Sequence, residues 1–338
     1  MEEVQKLTNA DFKIDKPVKW CAKCGSYAIL AAVQKALPQI NVKKENIVFV
    51  SGIGCSSRFP YYMKTYGFHS LHGRAIPIAS GLKSARPELS VWIATGDGDS
   101  MAIGGNHFIH MIRRNIDLNV LIFNNRIYGL TKGQYSPTTP FGEITKSSPD
   151  GTIEPAFEPG TLVIGSQGSF FARTIDKEPK EMENIFVQAA KHKGTSVVEI
   201  LQNCVIFNDN THEVIIGKEI KDDRIIYLEH GKKMIFGKEK NKGLIFDGTD
   251  IKVVNIGENG VTLEDILVHD EKNPNPNIHY MLAKMAYPEL PVAMGVIRSV
   301  EQNTYEQLLK NQIDSAQANT NIKNINDLLN SGKIFDVK

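Results

Sequence analysis

The stretch from Thr95 to Tyr128 reads TGDGDSMAIGGNHFIHMIRRNIDLNVLIFNNRIY. It begins with an acidic glycine turn at Gly96–Asp99 and ends with the pair Asn124 and Asn125, directly after an apolar run. The interval between the turn and the pair accommodates one helix and one strand, as in a βαβ unit. Both ends of such a unit lie at the same edge of a parallel sheet, where open α/β folds bind ligands.

Oxygen-bearing side chains therefore face one gap at this edge. Asp97 and Asn125 supply the hard ligands that Mg²⁺ prefers, and the glycine backbone beside them suits a diphosphate. The carbonyl of Ile127 is a natural third ligand, and Gly98 and Asp99 would face the diphosphate from the start of the helix. Asp, Asn and Gly are also ordinary turn residues. The turn alone leaves that alternative open, whereas the pair at two strand ends favours a metal site.

Apolar periodicity around this unit predicts an α/β fold with a doubly wound, mostly parallel sheet. The predicted strands are 47–50, 89–94, 119–123, 169–175 and 196–201, and the predicted helices are 27–37, 75–83, 101–114 and 180–193. Beyond residue 210 the charges become denser and the β-rich runs shorter. We therefore expect one domain at 1–210 and a smaller C-terminal extension at 211–338, which acts as a lid or a partner contact.

One connection is longer than the others. Residues 135–160 are rich in Pro, Gly, Ser and Thr and exceed the length of an ordinary loop. They predict a functional loop or an arm that faces a partner.

Composition excludes several classes of protein. The 39 basic and 38 acidic residues nearly cancel, so no basic field indicates nucleic-acid binding. No apolar run approaches the roughly 20 residues of a membrane-spanning helix. Residues 1–6 are charged and lack the apolar core of a signal peptide. The expectation is a cytoplasmic protein without a membrane segment.

The four cysteines follow ligand-type loops. Cys21 and Cys24 form a C-x-x-C pair, Cys55 follows the first predicted strand, and Cys204 follows a late one. Disulfides are a poor explanation in a large chain with no export signal. Four thiolates suit an iron–sulfur cubane or a structural zinc, and unrelated buried cysteines are the third alternative. Zinc would not explain the neighbouring diphosphate site.

Two further side chains lie in loops that could contact a ligand. Arg58 stands three residues after Cys55 in a Gly/Ser loop, where a guanidinium could hold a substrate carboxylate in a bidentate pair. An exposed arginine is as often simply solvated. His72 precedes a Gly-Arg step and could hydrogen-bond a cofactor or substrate, although a structural histidine is nearly as common.

The acidic turn and the asparagine pair resemble the thiamine-diphosphate motif, GDG followed by NN. With the surrounding motifs, the chain resembles the beta subunit of a 2-oxoacid:ferredoxin oxidoreductase. These motifs are WCAKCG at 20–25, GIGCSS at 52–57, HGR at 72–74, YGLTKGQ at 128–134 and QNC at 202–204. The resemblance covers about residues 17–210 and continues more weakly into the extension. Lys23 and Asn203 depart from it, because a glycine and a proline are common at those positions.

The resemblance implies the diphosphate-binding half of a thiamine-diphosphate fold and assigns a role to each motif. Cys21, Cys24, Cys55 and Cys204 would hold one [4Fe–4S] cluster, and Asp97, Asn125 and the Ile127 carbonyl would hold Mg²⁺. The contacts to thiamine diphosphate would come from Ile53, Gly54, Cys55, Ser56, His72, Gly98, Asp99, Gly129 and Leu130. Arg58 would lie near the substrate carboxylate.

The implied reaction is oxidative decarboxylation of a 2-oxoacid, with 2-oxoglutarate favoured. Coenzyme A collects the acyl group, and ferredoxin takes the electrons through the cluster. The glutamate that activates the cofactor belongs to a pyrimidine-binding domain not found in this chain, so an alpha subunit is expected as an obligate partner. The alternatives are a pyruvate:ferredoxin oxidoreductase beta subunit and a non-redox thiamine-dependent decarboxylase with structural zinc. A nicotinamide-dependent dehydrogenase is disfavoured, since the turn lacks G-x-G-x-x-G.

Overall fold

Apolar runs form the strands of the computed structural model, which describes residues 7–335 and 337. The strands are β1 (Ile47–Ser51), β2 (Tyr66–His69), β3 (Ser90–Gly96), β4 (Asn119–Asn124), β5 (Ile127–Tyr128), β6 (Gln134–Tyr135), β7 (Phe170–Ile175), β8 (Ser196–Leu201), β9 (Ile225–Leu228), β10 (Ile235–Phe236), β11 (Lys242–Phe246), β12 (Ile251–Asn255) and β13 (Val292–Ser299). Residues 1–6, whose charged sequence predicts that no signal peptide is present, lie outside the described residues, as do 336 and 338 of the predicted extension.

The α-helices lie between many of these strands and after the last one. They are α1 (Ser26–Ala36), α2 (Ala75–Ala85), α3 (Gly105–Arg114), α4 (Pro159–Gly165), α5 (Pro179–Lys191), α6 (Glu213–Ile216), α7 (Lys221–Arg224), α8 (Asn277–Lys284), α9 (Tyr305–Ala318) and α10 (Ile325–Leu329). The helix predicted at 101–114 is interrupted, because a π-helical turn at Asp99–Ile103 precedes α3. Such turns occur frequently at functional sites. No helix within the described part of the chain is long and apolar enough to cross a membrane.

The central sheet has eight strands in the order β2-β1-β3-β4-β8-β7-β13-β9. From β2 to β7 all neighbours pair in parallel, and only β13 runs antiparallel to its neighbour β7. The mostly parallel α/β sheet is therefore confirmed. The strand order reverses between β1 and β3, since β2 lies on one side of β1 and the later strands lie on the other. Open α/β sheets bind ligands beyond the strand ends at such a switch point.

Helices cover both faces of the sheet. Val91 and Ile93 of β3 pack into one apolar core with side chains of α2, α3, α4 and α8. Trp92 and Ala94 of the same strand pack into the other core, with side chains of α1 and α5. This alternation is the period of two of a strand buried on both faces. It confirms the doubly wound arrangement.

The segment beyond residue 210 contributes to the same sheet. Strands β9 and β13 extend its β7 edge, while β10, β11 and β12 form a small antiparallel sheet. The central sheet therefore continues past the predicted boundary at 210. The short β-rich runs of the sequence predict strands beyond residue 210, but they do not predict that two strands there join the central sheet. Helices α9 and α10 are almost wholly exposed. A role for 211–338 as a lid or a partner contact stays a prediction.

Candidate active site

A cavity of about 190 Å³ opens at the carboxyl ends of β1, β3, β4 and β8. It is lined by loops that follow these strands, and it brings together most of the residues predicted from the sequence. The lining residues are Ile53, Gly54, Cys55, Ser56, His72, Gly96, Asp97, Gly98, Asp99, Phe123, Asn125, Ile127, Tyr128, Gly129, Leu130, Thr131 and Gln202. Arg58 does not line it.

Asp97 is a buried carboxylate with only neutral donors. Its Oδ2 accepts hydrogen bonds of 2.5 Å from the hydroxyls of Ser136 and Thr138, and it forms no ion pair among residues 7–335 and 337. Burial raises the pKa of Asp97, although the two hydroxyls act in the opposite direction. A buried carboxylate without a cation is costly. A divalent ion in the cavity would remove that cost, so Asp97 fits the predicted metal ligand.

The amide of Asn125 has a defined orientation. Its Oδ1 accepts a hydrogen bond of 3.2 Å from the backbone N–H of Ile127, and its Nδ2 donates to Gln202 Oε1, also at 3.2 Å. A carbonyl oxygen has two lone pairs, so Oδ1 keeps one for a ligand. The intervening Arg126 has a φ of 58°, an uncommon value for a residue other than glycine, and this turns the chain sharply between Asn125 and Ile127.

Asp99 acts differently from its neighbour Asp97. Its Oδ1 accepts hydrogen bonds from the backbone N–H groups of Ile53 and Gly73, and its Oδ2 accepts one from the Thr95 hydroxyl. The ring of His72 lies 2.7 Å from the same Oδ1. The carboxylate therefore ties three loops together. Its predicted contact with thiamine diphosphate stays a prediction, but its oxygens are already engaged.

His72 is oriented by Asp99. Because Nδ1 lies 2.7 Å from Asp99 Oδ1, the proton belongs on Nδ1, and Nε2 is left to face a ligand. The side chain is 37% exposed and lines the cavity. This geometry fits the predicted contact of His72 with cofactor or substrate.

The loop after β1 leaves an unpaired hydroxyl in the cavity wall. Ser56 Oγ is buried and has no hydrogen-bond partner within the part of the chain that the structure describes. Gly54 precedes it with a φ of 143°, which favours glycine because a side chain there would be strained. Buried polar groups without partners are rare. The orphaned hydroxyl fits an acceptor-rich ligand such as a diphosphate.

The four cysteines meet beside this cavity with their thiols free. A Cβ placed on Gly129 would stand 3.5 Å from Cys204 Sγ and 3.8 Å from Cys55 Sγ, so the glycine lies against both sulfurs. Burial, together with the nearby thiols of Cys204, Cys24 and Cys21, raises the pKa of Cys55 to about 11. Thiolates crowded in this way are stabilised when iron binds them.

A single ion and a cubane make different demands on these thiols. Within residues 7–335 and 337, no group of three His, Cys, Asp or Glu is arranged to hold one metal ion. In a cubane each thiolate binds a different iron, so the sulfurs stand farther apart. Cys21 is exposed, whereas Cys24, Cys55 and Cys204 are half-buried. The four thiols fit the predicted [4Fe–4S] cluster, which would lie near the protein surface.

Two departures from the family motifs are accommodated by the backbone. Lys23 has a φ of 65°, in the left-handed region that favours glycine, which gives a physical reason for a glycine at this position. Asn203 donates its N–H to Asp176 Oδ2 at 2.8 Å, a bond that proline could not make.

The structure does not bring Arg58 to the cavity. Its guanidinium is exposed and donates a hydrogen bond of 2.9 Å to the carbonyl of Lys19, beside the cysteine pair. Sequence spacing could not show this, because the 3₁₀ helix at Ser56–Tyr62 decides where the side chain points. Its role toward a substrate carboxylate stays a prediction.

The site also contains residues that the sequence does not predict as site residues: Gly96, Phe123 and Thr131 line the cavity, and four others contact predicted site residues. Ser136 and Thr138 hold Asp97, Tyr128 packs on Gly98, and Gln202 contacts Asn125. Ser136 and Thr138 belong to the loop predicted to be functional. The only sequence signal for Tyr128 and Gln202 was their presence in family motifs.

Replacing Gly98 by alanine is expected to weaken binding of thiamine diphosphate and Mg²⁺ by about 10–100-fold. A Cβ there would stand 2.2 Å from the ring of Tyr128, whose hydroxyl donates to the Gly98 carbonyl at 3.2 Å, so the ring must move within the cavity wall. Calorimetric titration measures the affinity. Gly105→Ala is the matched control, because a Cβ on Gly105 meets open space. Equal affinities in the two variants would contradict this role for Gly98.

The chain is similar in sequence to a known domain family and to known proteins. The family described as "Thiamine pyrophosphate enzyme, C-terminal TPP binding domain" matches residues 52–200. The chain is 44% identical over 308 residues to the 2-oxoglutarate oxidoreductase subunit KorB of Mycobacterium tuberculosis, a match covering 91% of this chain and 82% of that protein. It is 43% identical over 220 residues to the beta subunit of 2-oxoacid:ferredoxin oxidoreductase 1 of Aeropyrum pernix. This match covers 65% of this chain and 68% of that protein.

A solved structure has the same fold. The 2-oxoglutarate:ferredoxin oxidoreductase from Magnetococcus marinus, with 2-oxoglutarate, coenzyme A and succinyl-CoA bound, aligns over 98% of each chain. The TM-score is 0.78, and the sequences are 28% identical.

Proposed function

The chain belongs to the family of 2-oxoacid:ferredoxin oxidoreductase beta subunits, and we propose from this premise that its enzyme oxidatively decarboxylates 2-oxoglutarate. The products are succinyl-CoA and CO₂, and two electrons pass to ferredoxin. The observation that carries this proposal is the contact of Gly129, in the cavity wall, with the sulfurs of Cys55 and Cys204. The cavity and two of the four free thiols therefore share one wall, an arrangement that a non-redox decarboxylase does not need.

Mg²⁺ would be held by three oxygens, those of Asp97 Oδ1, Asn125 Oδ1 and the Ile127 carbonyl. The diphosphate cofactor would be contacted by Ser56 and His72. When bound, thiamine diphosphate supplies an electron sink for decarboxylation, and a [4Fe–4S] cluster supplies a one-electron outlet. The residues of this chain position these groups. Ser136 and Thr138 would hold Asp97 through its Oδ2, and Asp99 would hold His72 through Nδ1, which leaves Asp97 Oδ1 and His72 Nε2 for ligands.

This site would be completed by an alpha subunit. The cavity of about 190 Å³ is smaller than the roughly 300–1,000 Å³ of complete cofactor sites, and no glutamate of the described residues lines it. Leu130 in its wall is 50% exposed, and Leu71, one residue before His72, is 72% exposed. Such apolar side chains at the rim suit coverage by another subunit.

Anaerobic co-expression with the partner subunit, followed by viologen reduction with a panel of 2-oxoacids and coenzyme A, tests the proposal. We expect activity with 2-oxoglutarate above that with pyruvate, and none from the purified chain alone. Full activity of the purified chain without a partner would refute the proposal that an alpha subunit completes the active site. A preference for pyruvate would favour the pyruvate-specific alternative, and a colourless protein containing zinc would favour the non-redox decarboxylase.

A further inference from the structure

We propose that Gln202 is a positioning residue shared by the metal site and the iron–sulfur site, which it couples through one side-chain amide. This inference rests on the proposed function. Gln202 directly follows β8, is 2% exposed and lies in the cavity wall. Its amide contacts a predicted Mg²⁺ ligand on one side and the loop of a predicted cluster ligand on the other.

The orientation of this amide follows from a backbone donor. The N–H of Ile127 donates to Asn125 Oδ1, so Asn125 Nδ2 must point away, toward Gln202. Gln202 then presents its Oε1 to that Nδ2, at 3.2 Å. Its Nε2 consequently faces the opposite side, where it donates to Ser26 Oγ at 2.7 Å. Flipping either amide would set two donors against each other.

At the metal site, Gln202 keeps the Asn125 amide from rotating. Asn125 Oδ1 then faces the cavity with one lone pair free for Mg²⁺. Hydrogen-bond partners of metal ligands typically change metal affinity by about 10–100-fold when they are removed.

At the cluster site, Gln202 acts on the sulfur of Cys24. Its Nε2 lies 3.9 Å from Cys24 Sγ, and Ser26 Oγ, which it holds, lies 3.4 Å from the same sulfur. Hydrogen bonds to cluster sulfurs are among the factors that set the reduction potential, because they stabilise the more negative, reduced state. Removing them lowers the potential.

The loop itself does not depend on this side chain. The N–H of Asn203 donates to Asp176 Oδ2 at 2.8 Å, and the Asn203 carbonyl accepts from the N–H of Gly25 at 3.4 Å. The backbone therefore remains anchored when the amide is removed, so a variant at Gln202 is expected to fold.

The test uses the assembled complex and two variants. Gln202→Met removes the amide at similar volume, and Gln202→Glu keeps an acceptor for Asn125 but removes the donors to Ser26 and Cys24. Gln34→Met is the matched control, since Gln34 is 5% exposed and its Nε2 bonds the Tyr62 carbonyl and Met63 Sδ, neither of which belongs to a cysteine or to a residue lining the cavity. Affinity for thiamine diphosphate with Mg²⁺ is measured by calorimetry, and the cluster midpoint potential by redox titration followed with EPR.

Gln202→Met is expected to lose about 10–100-fold in cofactor affinity and to lower the midpoint potential. Gln202→Glu should lower the potential while losing less affinity, and Gln34→Met should change neither. A Gln202→Met complex that changes only one of the two quantities, or neither, overturns the shared role. Failure of the proposed function is distinguishable, because the wild-type complex would then lack the cluster signal or cofactor binding.

Discussion

Replacing Asp97 by asparagine is expected to lower the affinity for thiamine diphosphate and Mg²⁺ by at least about 100-fold, and to abolish oxidation of 2-oxoacids by the assembled enzyme. The carboxylate is 2% exposed, and its Oδ2 is occupied by Ser136 and Thr138. Only Oδ1 remains for a metal, and asparagine offers Mg²⁺ no charge there. Calorimetric titration and viologen reduction measure the two losses.

The stability of the cofactor-free protein should not fall in this variant. Burial raises the pKa of Asp97, which means that the folded state disfavours the charged form. Asparagine removes that charge and still accepts from one hydroxyl. Asp99→Asn provides the contrast, because the Asp99 carboxylate is bonded by Ile53, Gly73 and Thr95, and its loss should lower the melting temperature. Wild-type affinity in Asp97→Asn would remove Asp97 from the metal site.

For these two aspartates, the sequence predicts the position in the fold but not the hydrogen-bond partners. The turn at 96–99 and the asparagine pair could be located because parallel strands place their carboxyl ends at one edge. The sequence predicts Asp97 as the metal ligand and Asp99 as a contact to the diphosphate, but it does not predict which groups of the protein bond the two carboxylates. Both aspartates line the cavity, but Asp99 begins the π-helical turn at Asp99–Ile103, and its Oδ1 accepts from the N–H groups of Ile53 and Gly73. A regular helix beginning at 101 was expected.

Contacts between segments that are distant in the chain are also not predictable from the sequence. Thr138 reaches Asp97 across 41 positions of the chain, and Gln202 reaches Ser26 across 176. No local periodicity encodes such pairs, since they depend on how the loop at 135–160 and the end of β8 close over the sheet edge. The cysteines were easier, because their residue type and their strand-end positions are themselves the signal. Strand β13 is not predicted from the sequence. It joins β7 in the antiparallel direction, so it is not part of the regular strand–helix–strand spacing from which the parallel strands are predicted.

Replacing Cys204 by alanine is expected to give a protein that binds thiamine diphosphate but no longer reduces ferredoxin or viologen. Cys204 supplies one of four thiols, and it is not one of the residues that line the cofactor cavity. Three thiolates leave one iron of a cubane without its protein ligand. The brown colour, the iron content and the EPR signal of the reduced protein should therefore fall sharply, whereas cofactor affinity should stay near that of the wild type.

The two variants are therefore expected to affect different groups, one the cofactor and the other the cluster. Asp97→Asn should keep the cluster and lose the cofactor, while Cys204→Ala should keep the cofactor and lose the cluster. Val205→Ala is the control for the second variant, since it truncates the neighbouring half-buried side chain without removing a thiol. An undiminished iron signal in Cys204→Ala would exclude Cys204 as a ligand. Stoichiometric zinc in the wild type, lost in this variant, would instead assign the four thiols to a structural metal and leave Asp97 as the centre of a non-redox enzyme.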